Sequence, residues 1–231
     1  MILTKTNNSP LWTLLAYLLH PILVPLYCTL YLVYAQSYLF ARNTTLANTS
    51  LVLNVVVILI LFQAFTVFLL YKLKFVSSIQ LHTQRERIVP LFVYTVYTFW
   101  LWAFVLVKNP ANHTKLTITQ AELNVLKQHA VYYPSIAIGM GLAFFVTASL
   151  TLVLNSFYKI SLHMIGAGLM LGLAIVTVVQ AQAHPMWVVF AALLVLTTLL
   201  TRKVTSTHTP YELYSGLVCG LAVMLIVQFV F

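Results

Sequence analysis

Seven long, uninterrupted apolar runs separate short polar segments along this chain, and no other feature constrains its fold as strongly. They lie near 11–40, 51–71, 89–107, 131–154, 161–182, 186–201 and 210–231. A helical membrane span needs about 20 predominantly apolar residues, and most of these runs meet that length. Transmembrane barrel strands alternate over segments of about 10 residues, a pattern these continuous runs do not have. The expected fold class is therefore all-α, a polytopic helical membrane bundle of six to seven transmembrane helices in one transmembrane domain over 1–231. The first run carries Pro21 and Pro25, which predicts a kinked, tilted or partly re-entrant span. The sixth run is short.

Charge agrees with this reading. Only 6% of the 231 residues are charged, and the acids are Glu86, Glu122 and Glu212 alone; a soluble domain carries about a quarter. A net charge of +9 in a soluble protein would suggest nucleic acid. Here most bases border the apolar runs, so the expected partners are the lipid bilayer and a phosphorylated lipid substrate, with no nucleic acid. Cys28 and Cys219 both fall inside apolar runs, so neither a disulfide framework nor a CxxC metal site is expected. The apolar stretch after Met1–Ser9 is longer than a signal-peptide core and reads as a retained span. Short loops make a bacterial inner (plasma) membrane the default location.

Alternating spans sort the loops onto two sides. One holds the N-terminus, 72–88, 155–160 and 202–209; the other holds 41–50, 108–130 and 183–185. A small surface helix is expected in 108–130, where Thr119 and Glu122 form a capping-box pattern. Eight bases (Lys5, Lys72, Lys74, Arg85, Arg87, Lys159, Arg202, Lys203) face four (Arg42, Lys108, Lys115, Lys127), which would make the first side cytoplasmic. Setting aside Arg85, Arg87, Arg202 and Lys203 as candidate anion ligands leaves four against four, so the bases do not choose a side.

Three polar clusters meet on that first side. They are Gln84-Arg85-Glu86-Arg87-Ile88-Val89-Pro90, Lys159-Ile160-Ser161-Leu162-His163, and Arg202 with His208 and Glu212. Glu212 follows His208 by one helical turn, so its carboxylate can hold the imidazole in one tautomer and leave the opposite nitrogen as base or nucleophile. Arg202 can clamp phosphate oxygens, and the N-terminus of the last span favours an anion. His163 lies one span out and one span back from His208, where it can protonate a leaving oxygen. Arg85 and Arg87 can balance charge on the equatorial oxygens, and Lys159 and Ser161 stand beside them. With three acids in the chain there is no carboxylate-rich metal site, so the chemistry is expected to be metal-free and without a cofactor.

These residues resemble the motifs of the type-2 phosphatidic acid phosphatase superfamily. Arg202-x5-His208-x3-Glu212 is similar to its SRxxxxxHxxxD motif, and Ser161-Leu162-His163 to its PSGH motif. The resemblance covers roughly 80–231 as a phosphatase-like core. It implies that His208 is a nucleophile forming a phosphohistidine, Glu212 its orienting acid and His163 the general acid, with Arg202 and Ser161 on the phosphate. Gln80 stands seven residues before Arg87 where the family's KxxxxxxRP motif has lysine, and Pro90 follows Arg87 by three residues rather than one. Two functions therefore stand side by side: a metal-independent lipid phosphatase, or a catalytically inactive relative that binds lipid phosphate as a scaffold or transporter subunit.

Plainer roles exist for the same residues. Thr209-Pro210-Tyr211-Glu212 is a capping box with proline at the first helical position, Arg202 and Lys203 suit headgroup anchoring, and Lys159 suits snorkelling. His20 with Pro21 and Pro25 reads as a structural kink rather than a ligand site. Gly166, Gly168 and Gly172, with Gly216 and Gly220, predict close packing of the fifth span on the seventh, which would bring His163 and His208 together.

Overall fold

The computed structural model describes residues 9–41, 43–77, 83–108, 133–205 and 208–230. Among them are seven helical segments long and apolar enough to cross a membrane, and no strand. We label them α1 (Pro10–Ala35), α2 (Thr45–Lys72), α3 (Gln84–Lys108), α4 (Ser135–Phe157), α5 (Leu162–Ala181), α6 (Met186–Thr205) and α7 (Pro210–Val230). The protein is an all-α helical bundle of an integral membrane protein. The expected surface helix near Thr119 and Glu122 lies outside the described residues.

Several boundaries differ from the sequence reading, each for a local reason. α1 is not one continuous span to residue 40. Its α-helix stops after Leu18, and His20 takes an extended conformation (φ −65°, ψ 134°) ahead of Pro21, because a residue before proline is pushed out of the α region. A 3-10 turn over Pro21–Leu23 restarts it, a π turn over Tyr31–Ala35 ends it, and a separate 3-10 turn follows at Ser37–Phe40. α2 starts at Thr45 rather than 51, since the Thr44 hydroxyl accepts from Ala47 N at 3.2 Å and caps it. α3 starts at Gln84 rather than 89, which places the arginine cluster inside its first turn and Pro90 inside the helix. The sixth span is not short: it runs 20 residues to Thr205, with Arg202 and Lys203 in its last turn.

α5 is the central helix, the most buried of the seven. It packs on α7 and α6, while α3 packs on α4 and α4 on α7. Lipid tails are as apolar as leucine, so this packing rests on close fit rather than on water exclusion. Small residues supply the fit. A Cβ on Gly168 would lie 2.7 Å from Leu221 N, and one on Gly216 would lie 2.7 Å from Ser161 O. Gly166 does not join this seam, contrary to expectation: two residues from Gly168 it faces another side of the helix, against Val24 of α1. Outward-facing Phe65, Trp100, Leu196 and Val218 are exposed, as residues contacting lipid tails would be. At the far end of α7, buried Gln228 donates to Ile136 O of α4 at 2.8 Å, and its own carbonyl accepts from Gln180 of α5 at 3.0 Å.

Candidate functional site

The site forms where α3, α5, α6 and α7 end on one side of the bundle. Its centre is the start of α7. Thr209 caps that helix: Glu212 N donates to Thr209 Oγ1 at 3.3 Å, and Thr209 N donates to Glu212 Oε2 at 3.2 Å. The same Oε2 lies 2.7 Å from His208 Nδ1. Glu212 is therefore both a cap and the partner of the imidazole. The His208 side chain is only 5% exposed and that of Glu212 13%, which strengthens the pair electrostatically. With Nδ1–H donated to the carboxylate, Nε2 carries the lone pair. Burial pushes the His208 pKa below 6.5; the Glu212 hydrogen bond raises it, and the charges of Arg202 and Lys159 lower it again. Burial thus favours the neutral form of the imidazole.

The seam between α5 and α7 brings Ser161 and His163 to this point. Ser161 N donates to Glu212 O at 3.2 Å, so the α5 start is tied to the same turn that holds the His208 partner. The Ser161 residue is fully buried, and its hydroxyl makes no hydrogen bond among the described residues. Such an orphaned donor is costly unless something else receives it. His163, in the first turn of α5, stands within range of the charges of Arg202 and His208. Arg202 from α6 also acts on Arg87 of α3, and Arg87 on Glu212. Lys159 is half-buried and acts on His208. His208, Glu212, His163, Ser161, Arg202, Arg87 and Lys159 are thus gathered in one place.

Arg85 is not. It is exposed, and two residues along a helix turn it about 200° away from Arg87. Glu86 accepts from Ser77 N at 2.7 Å, from Ser77 Oγ and from Thr83 N at 3.2 Å, closing the cap of α3. Two residues at this end escaped the sequence reading. Asn155, at the end of α4, is 1% exposed; it donates to Gln84 O at 2.9 Å while its Oδ1 is left without a partner among the described residues. His20, read as part of a kink, places its ring 5.4 Å from that of His163 at an interplanar angle of 79°. A polar residue closing an otherwise apolar run was the available signal for Asn155.

Of the other histidines, His82, His113 and His129 lie outside the described residues, and His184 accepts from Met186 N at 3.2 Å to start α6. Among the described residues no three His, Cys, Asp or Glu side chains converge as a metal-binding set. The arrangement can bind an anion between Arg87 and Arg202 and present it to two imidazoles. No protein-family model, curated protein or solved structure matches the chain.

Proposed function

We propose that the protein is a membrane lipid phosphatase, hydrolysing a lipid phosphate monoester or pyrophosphate through a phosphohistidine without a metal. The observation that carries this reading is the buried His208–Glu212 pair, Nδ1 to Oε2 at 2.7 Å, set among His163, Arg202 and Arg87. In this reading His208 Nε2 attacks phosphorus and forms an N–P bond while the bond to the lipid oxygen breaks. His163, entering this step as the imidazolium, gives its second proton to that leaving oxygen and becomes neutral. Water then attacks the phosphohistidine and gives a proton to His163, inorganic phosphate leaves, and His208 is restored. Arg202 and Arg87 balance the oxygens' charge, and the orphaned Ser161 hydroxyl donates to one of them. The likeness of Arg202, His208 and Glu212 to the type-2 phosphatidic acid phosphatase motif supports the same assignment.

The test is phosphate release by purified protein in nanodiscs, with chelator present, from phosphatidate, phosphatidylglycerol phosphate and undecaprenyl pyrophosphate. Turnover is expected and is expected to vanish in His208→Ala. Full activity in that variant would end the mechanism. A second reading, an inactive relative that binds lipid phosphate, is favoured by one observation: Arg85 faces away, leaving Arg87 as the one arginine that α3 brings to the site among the described residues. Saturable lipid-phosphate binding by folded protein without turnover would select it.

A further inference from the structure

A cleft of about 530 Å³ opens between α1, α5 and α6, well inside the usual range for ligand pockets of about 300–1,000 Å³. Its wall includes Ala167 of α5 and Leu194 of α6, and His163 of the candidate site lines it too. The hydroxyl groups on its wall are already engaged, and the His163 imidazole is hydrogen-bonded to the backbone of Ala16. Tyr27 Oη donates to Leu18 O at 2.7 Å, and Tyr31 Oη shares a hydrogen bond with Thr177 Oγ1 at 2.6 Å. Thr197 and Thr198 turn their hydroxyls back to Leu193 O and Leu194 O, at 2.8 and 2.7 Å. A polar ligand placed here would leave its own groups unpaired, at a cost of kilocalories each. A hydrocarbon would not.

The cleft meets the anion site at the break in α1. There His20 Nδ1 accepts from Ile22 N at 3.3 Å, so the neutral ring keeps its proton on Nε2. The residue is exposed as a whole at the break, while its ring packs edge-on with His163 and lies within range of the Arg202 charge. The cleft wall therefore carries the His163 imidazole at the end nearest the candidate site, with the His20 ring packed against it, and mostly apolar side chains beyond.

We propose that α1, which lies outside the segment resembling the phosphatases, builds a chain-binding subsite. One hydrocarbon chain of the phosphorylated lipid occupies the cleft between α1, α5 and α6, and the His20 N–H contacts the oxygen joining chain to phosphate. The assignment rests on the phosphatase reading for the headgroup; the chain position is independent of turnover.

The test uses hexadecyl phosphate carrying a diazirine at mid-chain, photolysed with the full protein in nanodiscs. Adducts are expected on α1, α5 and α6, displaced by plain hexadecyl phosphate and reduced several-fold in Leu194→Trp. Adducts confined to the outer faces of α2 and α4, or unaffected by Leu194→Trp, would overturn the proposal even if wild-type protein turns over. In parallel, the ratio of kcat/KM for hexadecyl over butyl phosphate is expected to fall at least about tenfold in Leu194→Trp. His20→Phe, which keeps the ring contact but loses the donor, is expected to lower kcat/KM about tenfold for both; wild-type rates there would overturn the role of His20. Absence of phosphate release by wild type would fall on the phosphatase reading, and the adduct map would still decide the cleft.

Discussion

A single carboxylate oxygen, Glu212 Oε2, serves two donors, the His208 imidazole and the Thr209 amide. The two roles that the sequence offered for this residue are thus not rivals: the cap holds the carboxylate still, and the imidazole uses the position so fixed. A pH dependence follows. In the proposed mechanism His208 must be neutral to attack, and its pKa is held below 6.5, chiefly by burial. The acid limb of kcat/KM, which reports the free enzyme, is therefore expected below pH 6.5. Glu212 pulls that pKa upward, so Glu212→Gln should move the residual acid limb to still lower pH while reducing turnover by about 10⁴. A limb that moved toward neutrality would contradict the pairing. Arg85 and Arg87 separate just as cleanly. Arg87→Ala should lower kcat/KM by about 10²–10³, and Arg85→Ala by less than about twofold, measured on the same lipid. The sequence held the means to tell them apart, because Thr83-x-x-Glu86 is a capping-box pattern that starts α3 early enough to put the two arginines on different faces.

The helices themselves show which signals read through and which were overridden. Apolar runs located all seven spans, since length and hydropathy are what a bilayer selects. Their ends followed from single side chains instead: Thr44 and Thr83 each start a helix earlier than the apolar run does. The α5–α7 seam was legible from Gly168, Gly172, Gly216 and Gly220, because close backbone approach admits almost no other residue there. Gly166 was misplaced for want of rotation: it sits on the α1 face. Enlarging the seam tests it. Gly216→Val would push against Ser161 O, 2.7 Å from the new Cβ, and overpacking of this kind costs about 1–3 kcal/mol. The expected result is a lower Tm in detergent together with loss of phosphate release, since Ser161 also donates its N–H to Glu212 O and the shift would disturb that turn. Gln228→Leu, 7% exposed at the opposite end, should cost about 0.6 kcal/mol, the usual worth of an interhelical hydrogen bond in a membrane. A Tm drop there without a change in kcat would separate support of the bundle from support of the site.

At the scale of the whole molecule, the site exists only because odd and even spans return the same side of the chain three times. α3 begins, α5 begins, and α6 ends against the beginning of α7, so residues from 87 to 212 meet at one surface although no local pattern links them. That much could be argued from span alternation. His20 could not, because its approach to His163 depends on how the first span folds back after its break, and a proline pair says where a helix stops but not where it goes. The same alternation makes a direct prediction about topology. Phe75 and Lys203 are exposed near the ends of α2 and α6, and Ala41 and His184 are exposed near the starts of α2 and α6. In vesicles holding the protein in one orientation, with Cys28 and Cys219 changed to Ser, a membrane-impermeant maleimide should label Phe75→Cys and Lys203→Cys from one face. Ala41→Cys and His184→Cys should label from the other. Phosphate released from lipid should appear on the face that labels Lys203→Cys, because His208 and Arg202 stand at that end of the bundle. Labelling of Phe75→Cys and Lys203→Cys from opposite faces would break the alternation, and with it the convergence of Arg87 and Arg202 on which the proposed anion site depends.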